Sequence, residues 1–319
     1  MRYLLIVLLF SLFLAPGNAP AQNFPDRTVV IDPLADHDAD TAGFTWLNGS
    51  RLYAEFGRYS NGSGRHHRWN AKTGGYVEIA RWDSSWSIAI AGTMEMVADP
   101  YSDIAFNPRA IFWEEGVLAT ARLAGDASLT FGYMHRCKHD IDNLEPYLLD
   151  GKIEQITLVY SSLTARLNLR PRLLVEGPIE LHGALQARND LYAHLFDMRE
   201  PIEAHATGRS MNTLANSITL TPRIDIRPRG ARYGLHLNGS WMVSLFGDGE
   251  GWGGRWKGLT ALGSLPFLEL GADFFNPNGA AFTFFARGEW QRNGAIVPEY
   301  TPARLFLMGI RASAFETMW

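Results

Sequence analysis

The stretch that decides the fold is Leu129-Thr-Phe-Gly-Tyr-Met-His-Arg-Cys-Lys-His139, in which two kinds of side chain alternate. Successive side chains of a β-strand point to opposite faces. One face would therefore carry apolar and aromatic residues followed by His135, Cys137 and His139, and the other face small or charged residues. The pattern predicts a strand with one apolar face, and it places three reactive side chains in a row at one end of that face.

The same alternation recurs along most of the chain. We predict twelve strands, at about 51–60, 74–82, 85–97, 109–124, 128–139, 152–174, 179–194, 213–226, 231–245, 258–275, 280–292 and 303–315. Tight turns rich in Gly, Pro, Asn and Asp alternate with long links, provided that 152–174 forms one strand. An even number of strands with alternating short and long connections is typical of a transmembrane antiparallel β-barrel. A soluble sandwich also alternates, but it rarely places so many Trp and Phe residues at strand ends.

The N-terminus has the pattern of a secretory signal. Met1-Arg2 is followed by an apolar run from Tyr3 to Ala15 and by small residues up to Ala21. A membrane-anchoring helix is disfavoured, because the run is shorter than the roughly 20 residues that cross a bilayer. We predict that 1–21 is a cleaved signal peptide, 22–50 a periplasmic lead-in and 51–319 an all-β barrel, which indicates the bacterial outer membrane.

Composition restricts the function. The single cysteine excludes an intramolecular disulfide, and a net charge of −4 gives no support for nucleic-acid binding. Charged residues make up 19 % of the chain, below the roughly 25 % that is usual for soluble domains. The expected partners are outer-membrane lipids or lipopolysaccharide.

The segment Gly132-Tyr-Met-His-Arg-Cys137 resembles the Gly-Tyr-x-His-x-Ser stretch of outer-membrane phospholipase A. That protein is a twelve-stranded barrel whose catalytic His and Ser face outward at the outer leaflet. Lipid A deacylase barrels use a similar His-x-Ser arrangement. Pro33-Leu34-Ala35-Asp36 together with His135 to His139 is also similar to an uncharacterised family of exported barrels with Leu-Ala-Asp-Pro and His-x-Ser-Ser-His. The likeness covers about residues 30–145.

The resemblance implies that His135 is a general base and that Cys137 occupies the place of the nucleophile. A thiolate beside a histidine is a competent nucleophile, although the resembling barrels use serine. The third member stays open. The remaining candidates for the site are His139, Asp140, Asp142 and Asn143, with Gln155 as a further amide. An acidic or amide group among them would orient the base or help to hold a cation.

The sequence itself predicts no cofactor, whereas resemblance to the phospholipase implies calcium. Outer-membrane barrels commonly end in an aromatic residue that the barrel assembly machinery reads, and this chain ends in Trp319. We expect a monomer or a weak homodimer.

Three functions fit these observations. The leading hypothesis is an acyl-ester hydrolase that acts on outer-leaflet lipid or lipid A. The alternatives are a narrow channel and a non-catalytic barrel that binds lipid or lipopolysaccharide through interfacial His and Lys. A metal site at His135, Cys137 and His139 has suitable ligand types, but three ligands two residues apart on one strand diverge.

Overall fold

The computed structural model describes residue 34 and residues 43–60, 67–100, 104–123, 127–140, 157–196, 213–249, 251–276, 280–291 and 303–317. These residues form thirteen strands and one short helix. The strands are β1 Phe44–Trp46, β2 Gly49–Tyr59, β3 Trp69–Trp82, β4 Trp86–Asp99, β5 Asn107–Arg122, β6 Ala127–Asp140, β7 Thr157–Val175, β8 Ile179–Phe196, β9 Leu214–Pro228, β10 Tyr233–Phe246, β11 Thr260–Phe275, β12 Ala281–Gln291 and β13 Ala303–Thr317. The helix, α1 Gly251–Arg255, follows β10. In the described ranges, no helix is both long and apolar enough to span a membrane.

Strands β2 to β13 pair with their neighbours in chain order, all antiparallel, and β13 pairs with β2 to close the sheet. The pairing of Met308 with Arg58 and of Ile310 with Phe56 belongs to this seam. The short β1 continues the wall beside β2 and pairs with the last residues of β3. The result is a closed twelve-stranded barrel, and the predicted strand number is confirmed.

The two faces of the wall are opposite in character. The outer face exposes large apolar residues on every side of the barrel, including Leu52, Ile90, Val117, Leu163, Leu235, Phe284 and Met308. Aromatic residues are exposed near the short turns, among them Trp82, Trp86, Tyr233 and Phe274. An apolar outer belt with aromatic girdles over a polar interior is the arrangement that a bilayer stabilises. The chain is a transmembrane β-barrel.

The lumen is filled by polar and charged side chains. Glu55, Glu114, Arg136, Arg166 and Glu269 are each at most 6 % exposed although they face the inside of the barrel. Buried charges are stable only when paired, and salt bridges join these residues to one another and to their luminal neighbours. The described side chains therefore occlude the pore rather than line an open channel.

Short and long connections alternate as predicted. The turns after β3, β5, β7, β9 and β11 span three to five residues, and the links on the other end are longer. Residues 157–175 form one strand, so no turn interrupts the described part of the predicted strand at 152–174, and residues 152–156 lie outside the described residues. In barrels of this class the long links lie outside the cell, and we refer to the two ends of the barrel as the short-turn end and the long-loop end.

Most strand boundaries lie within a few residues of the prediction, but two described boundaries lie at least five residues before their predicted positions. The wall begins at Phe44 rather than at residue 51, so the end of the predicted lead-in belongs to the barrel. β3 begins at Trp69 rather than at residue 74. The early start of β3 was missed because Asn70 and Lys72 are polar residues that resemble loop residues in the sequence. In the structure they face the polar lumen. Within the lead-in, Leu34 is buried and its carbonyl accepts a hydrogen bond from Arg122 Nη2 at 3.3 Å.

Candidate active site on the outer surface

The structure places His135 and Cys137 on the outer face of β6. The inward residues Met134 and Arg136 are buried, whereas Phe131 and Tyr133 are 55 % and 46 % exposed on the outside. His135 and Cys137 continue the outer row toward the long-loop end, where His135 is partly exposed and Cys137 is 8 % exposed. Positions two apart on one strand face stand about 6.6 Å apart.

Four other predicted candidates cannot be compared with the structure at the side-chain level. His139 and Asp140 are the last two residues of β6, and their side chains are not among those described. Asp142 and Asn143 lie outside the described residues, as does Gln155. The assignment of these residues to the site therefore stays a prediction.

A polar row crosses three neighbouring strands at the level of His135. Glu115 on β5 is the cross-strand partner of His135 on β6, and His135 is the partner of Ser161 on β7. Directly paired residues in an antiparallel sheet share a face and lie about 5 Å apart. Glu115, His135 and Ser161 are therefore adjacent on the outside of the barrel, and we call them the outer row.

The contact between His135 and Ser161 is direct. Nδ1 of the imidazole and Oγ of the serine are hydrogen-bonded at 3.3 Å. Ser161 is completely buried although it faces outward. A buried hydroxyl requires a partner, and the imidazole supplies it. With the proton on Nδ1, the imidazole donates to Ser161 and its Nε2 lone pair is free to accept a proton.

Glu115 is held by its neighbour on the same strand. The indole Nε1 of Trp113 donates to Glu115 Oε2 at 2.8 Å. Trp113 is also the cross-strand partner of Cys137. The exposed rings of Trp113 and Tyr133 thus lie on either side of the outer row, one toward each end of the barrel. Aromatic residues concentrate at the boundary between membrane and water, which indicates an interfacial level for this row.

The inner face of the same strands is held by ion pairs. Arg136 donates to Glu114 Oε2 at 2.7 Å, to Ser162 Oγ at 2.9 Å and to Asp190 Oδ1 at 3.2 Å. Glu114 and Ser162 each adjoin a member of the outer row in sequence. One luminal guanidinium therefore ties together β5, β6 and β7, the three strands that carry the outer row, and β8 beyond them.

Metal binding receives no support from the described side chains. Within the described part of the chain, no group of three or more His, Cys, Asp or Glu side chains is arranged to hold a metal ion. The calcium role implied by the phospholipase resemblance stays a prediction.

Comparison with known proteins gives structural likenesses alone. No protein-family profile matches the chain, and no curated protein matches it. Outer membrane phospholipase A from Escherichia coli is 10 % identical, with a TM-score of 0.43, and the match covers 84 % of this chain and 92 % of that one. LpxR from Salmonella typhimurium is 7 % identical with a TM-score of 0.43, covering 83 % and 99 %. The β domain of the Bordetella autotransporter BrkA is 10 % identical with a TM-score of 0.41, covering 85 % and 100 %. The fold assignment rests on the strand pairing of this chain.

Sequence reasoning missed Glu115 and Ser161. A tight turn joins β5 to β6 and restricts their register, so Glu115 could have been placed beside the His-Cys pair. β6 and β7 are joined through residues 141–156, a long connection that leaves the register free in the sequence. Nothing in the local pattern around Ser161 distinguishes it from its neighbour Ser162, which faces the lumen and binds Arg136.

Proposed function

We propose that the protein is an outer-membrane hydrolase that cleaves acyl esters of outer-leaflet lipids, with its reactive groups on the outside of the barrel wall. The observation that carries the proposal is the hydrogen bond between His135 Nδ1 and Ser161 Oγ, on the face that also carries Cys137. A base that is oriented by a third group and adjoins a nucleophile is the arrangement that covalent ester hydrolysis requires. At this location the protein would contact membrane lipids, and the barrel assembly machinery would insert it.

In the proposed mechanism, Ser161 fixes the imidazole with Nδ1 protonated. Nε2 of His135 takes the proton of the Cys137 thiol, and the thiolate attacks the acyl carbonyl of the lipid. The ester C–O bond breaks, and the imidazolium returns its proton to the leaving alkoxide, which leaves an acyl thioester on Cys137. A water molecule deprotonated by His135 then hydrolyses the thioester and releases a fatty acid and the free thiol.

The occluded lumen favours chemistry on the outside over conduction through the inside. Charged side chains that would be hydrated in an open pore are nearly inaccessible here, as in the case of Arg166 and Glu269, each 1 % exposed. A non-catalytic barrel would share this lumen, so the outer row distinguishes the two functions. The choice between a monomer and a weak homodimer does not enter the mechanism, since all three proposed groups come from one chain.

The test is lipid mass spectrometry on the folded protein in phospholipid vesicles. Wild type should release fatty acid and lysolipid, and Cys137→Ala and His135→Ala should lower the rate by at least about a thousandfold, as removal of a nucleophile or its base does in other covalent hydrolases. Intact-protein mass spectrometry should detect a Cys137 acyl adduct that hydroxylamine removes.

Cys137→Ser is the informative control. Serine keeps a nucleophilic oxygen at the same position, so this variant should retain measurable hydrolysis. Folding of each variant is checked by its heat-dependent shift in gel mobility. Lipid profiles that are identical for folded wild type and Cys137→Ala would remove the hydrolase proposal. Full activity in Cys137→Ala with none in Ser161→Ala would transfer the nucleophile to Ser161.

A further inference from the structure

Glu115 is a charged side chain on a membrane-facing surface. It is exposed on β5, in line with Val117, which is 52 % exposed, and with Trp113. A charge on the lipid face of a barrel destabilises it unless the charge lies near the interface or has a partner. Within the described residues the carboxylate forms no salt bridge, and its hydrogen bond comes from a neutral indole. Among the described residues, no cation therefore pairs with this carboxylate, and Oε1 is left as a hydrogen-bond acceptor for a ligand.

Trp113 adds a second feature that attracts cations. Its indole N–H is directed to the Glu115 carboxylate, and 42 % of the side chain is exposed. An indole face attracts ammonium groups through its quadrupole, and a carboxylate attracts them by charge. Because the hydrogen bond fixes the ring beside the carboxylate, the two features are presented together.

The flank of Glu115 that faces away from His135 is open. There the cross-strand partner is Gly92 on β4. A Cβ added at Gly92 would meet no heavy atom closer than 3.5 Å, so the absence of a side chain leaves accessible space rather than a filled contact. Glu115 therefore has the catalytic histidine on one side and a gap on the other.

We propose that Glu115 and Trp113 bind the ammonium group of an amine-bearing glycerophospholipid, such as phosphatidylethanolamine, and make it the preferred substrate. This inference rests on the proposed hydrolase function and narrows its substrate class. The head-group amine would enter the gap above Gly92 on β4, and β6 would present His135 and Cys137 to an ester of the same lipid, two interstrand spacings or about 9.6 Å away. The negative carboxylate would disfavour the phosphates of anionic lipids, including lipid A, at this position.

The test compares phosphatidylethanolamine with phosphatidylglycerol in two assays. Native mass spectrometry measures which lipid remains bound to the detergent-extracted barrel, and hydrolysis is measured in vesicles that contain both lipids in equal amounts. Wild type should favour phosphatidylethanolamine by about tenfold in both assays, the size expected for an ammonium that meets a carboxylate and an indole.

Two variants test the assignment, each by a different route. Glu115→Gln keeps an oxygen for the Trp113 hydrogen bond but removes the charge, so the preference should fall to within about twofold. Gly92→Val fills the gap and should reduce the preference through a higher KM for phosphatidylethanolamine. Gly263→Val is the matched control, because Gly263 lies on β11 with no heavy atom within 4 Å of an added Cβ, and its preference should equal that of wild type.

The outcomes separate the inference from the function on which it rests. A lipid-retention preference that depends on Glu115, without any hydrolysis, would support the head-group site and remove the hydrolase. Hydrolysis that does not distinguish the two lipids, or a preference that survives Glu115→Gln, would overturn the head-group site and leave the hydrolase in place. A stronger retention of phosphatidylglycerol or lipid A than of phosphatidylethanolamine would also overturn it.

Discussion

Two charge clusters in the lumen have the same chemistry but lie behind different outer surfaces. The β5–β8 cluster contains Glu114, Arg136, Arg166, Arg188 and Asp190. The β11–β13 cluster contains Glu269, Arg287 and Arg311, together with Glu55 from the adjoining β2. Outside the first cluster lies the outer row with His135, whereas outside the second are exposed apolar residues such as Leu270 and Phe284.

The difference between the two outer surfaces shows which features the fold requires and which call for a functional explanation. Since both walls carry buried ion pairs, these pairs are explained by the need to fill and neutralise the lumen. A polar outer row is not required for that purpose and is disfavoured in a membrane, as the apolar surface outside the β11–β13 cluster shows. The outer row is therefore the feature for which a function has to be sought. In the β5–β8 cluster the ion pairs have a second effect, because they fix the strands that carry it.

The largest expected effect is on stability, when the central arginine of either cluster is removed. Arg287 donates twice to Glu55 at 2.8 Å and once to Glu269 at 2.7 Å, so Arg287→Ala leaves buried carboxylates with fewer partners. Breaking a buried pair costs about 3–5 kcal/mol, and we expect that loss in the free energy of unfolding for Arg287→Ala and for Arg136→Ala. Urea unfolding in lipid vesicles measures it.

The same two variants should differ in activity. Per folded molecule, Arg136→Ala should reduce hydrolysis because β5, β6 and β7 lose their shared luminal partner, whereas Arg287→Ala should not. A cost below 1 kcal/mol in both variants would contradict the interpretation of the lumen. Equal activity losses would contradict the distinction between the two walls.

A smaller effect is expected from removing a single hydroxyl. Ser161→Ala deletes the group that orients His135 and should lower the hydrolysis rate about 10–100-fold, the range seen when orienting partners of functional histidines are removed at metal sites. Ser217→Ala is the control, since Ser217 is also buried and hydrogen-bonds a luminal partner, Tyr192, at 3.0 Å. Both substitutions should cost about 1 kcal/mol of stability.

The tautomer of His135 shows whether Ser161 orients the imidazole or only contributes to stability. Nitrogen NMR of labelled His135 should show the Nδ1-protonated form in wild type and a mixture in Ser161→Ala, with no change in Ser217→Ala. If the tautomer and the rate are both unaffected in Ser161→Ala, the serine does not orient the base.

The smallest effect is expected for an ion pair outside the lumen. Arg229 bonds to Glu176 at the short-turn end, where the two side chains are 54 % and 68 % exposed. Exposed pairs contribute about 0–1 kcal/mol and are weakened by salt. Glu176→Gln should therefore change the free energy of unfolding by less than about 1 kcal/mol, and still less in high salt. If Glu176→Gln lowered the free energy of unfolding as much as Arg287→Ala does, burial would not explain why the two ion pairs differ in their contribution to stability.

Much of the fold was predictable because a barrel wall has a strict period of two. Every side chain of a strand faces either lipid or lumen, so the alternation around Phe131 and Tyr133 gave the outer face, and it also placed His135 and Cys137 on that face. The same code failed at the start of β3, where Asn70 and Lys72 face the lumen and a polar residue in a strand cannot be distinguished from one in a loop by composition.

The sequence by itself determined the class of fold, the number of strands, the alternation of turns and the pairing of a histidine with a cysteine on one strand face. Only the tertiary structure decided that Ser161 meets His135 and that the lumen is closed by ion pairs. The physical reason is the separation along the chain between the residues that interact. Facing follows from the backbone of a single strand, whereas the register of β6 against β7, and the meeting of Arg287 with Glu55 across 232 residues of chain, depend on how the whole sheet closes.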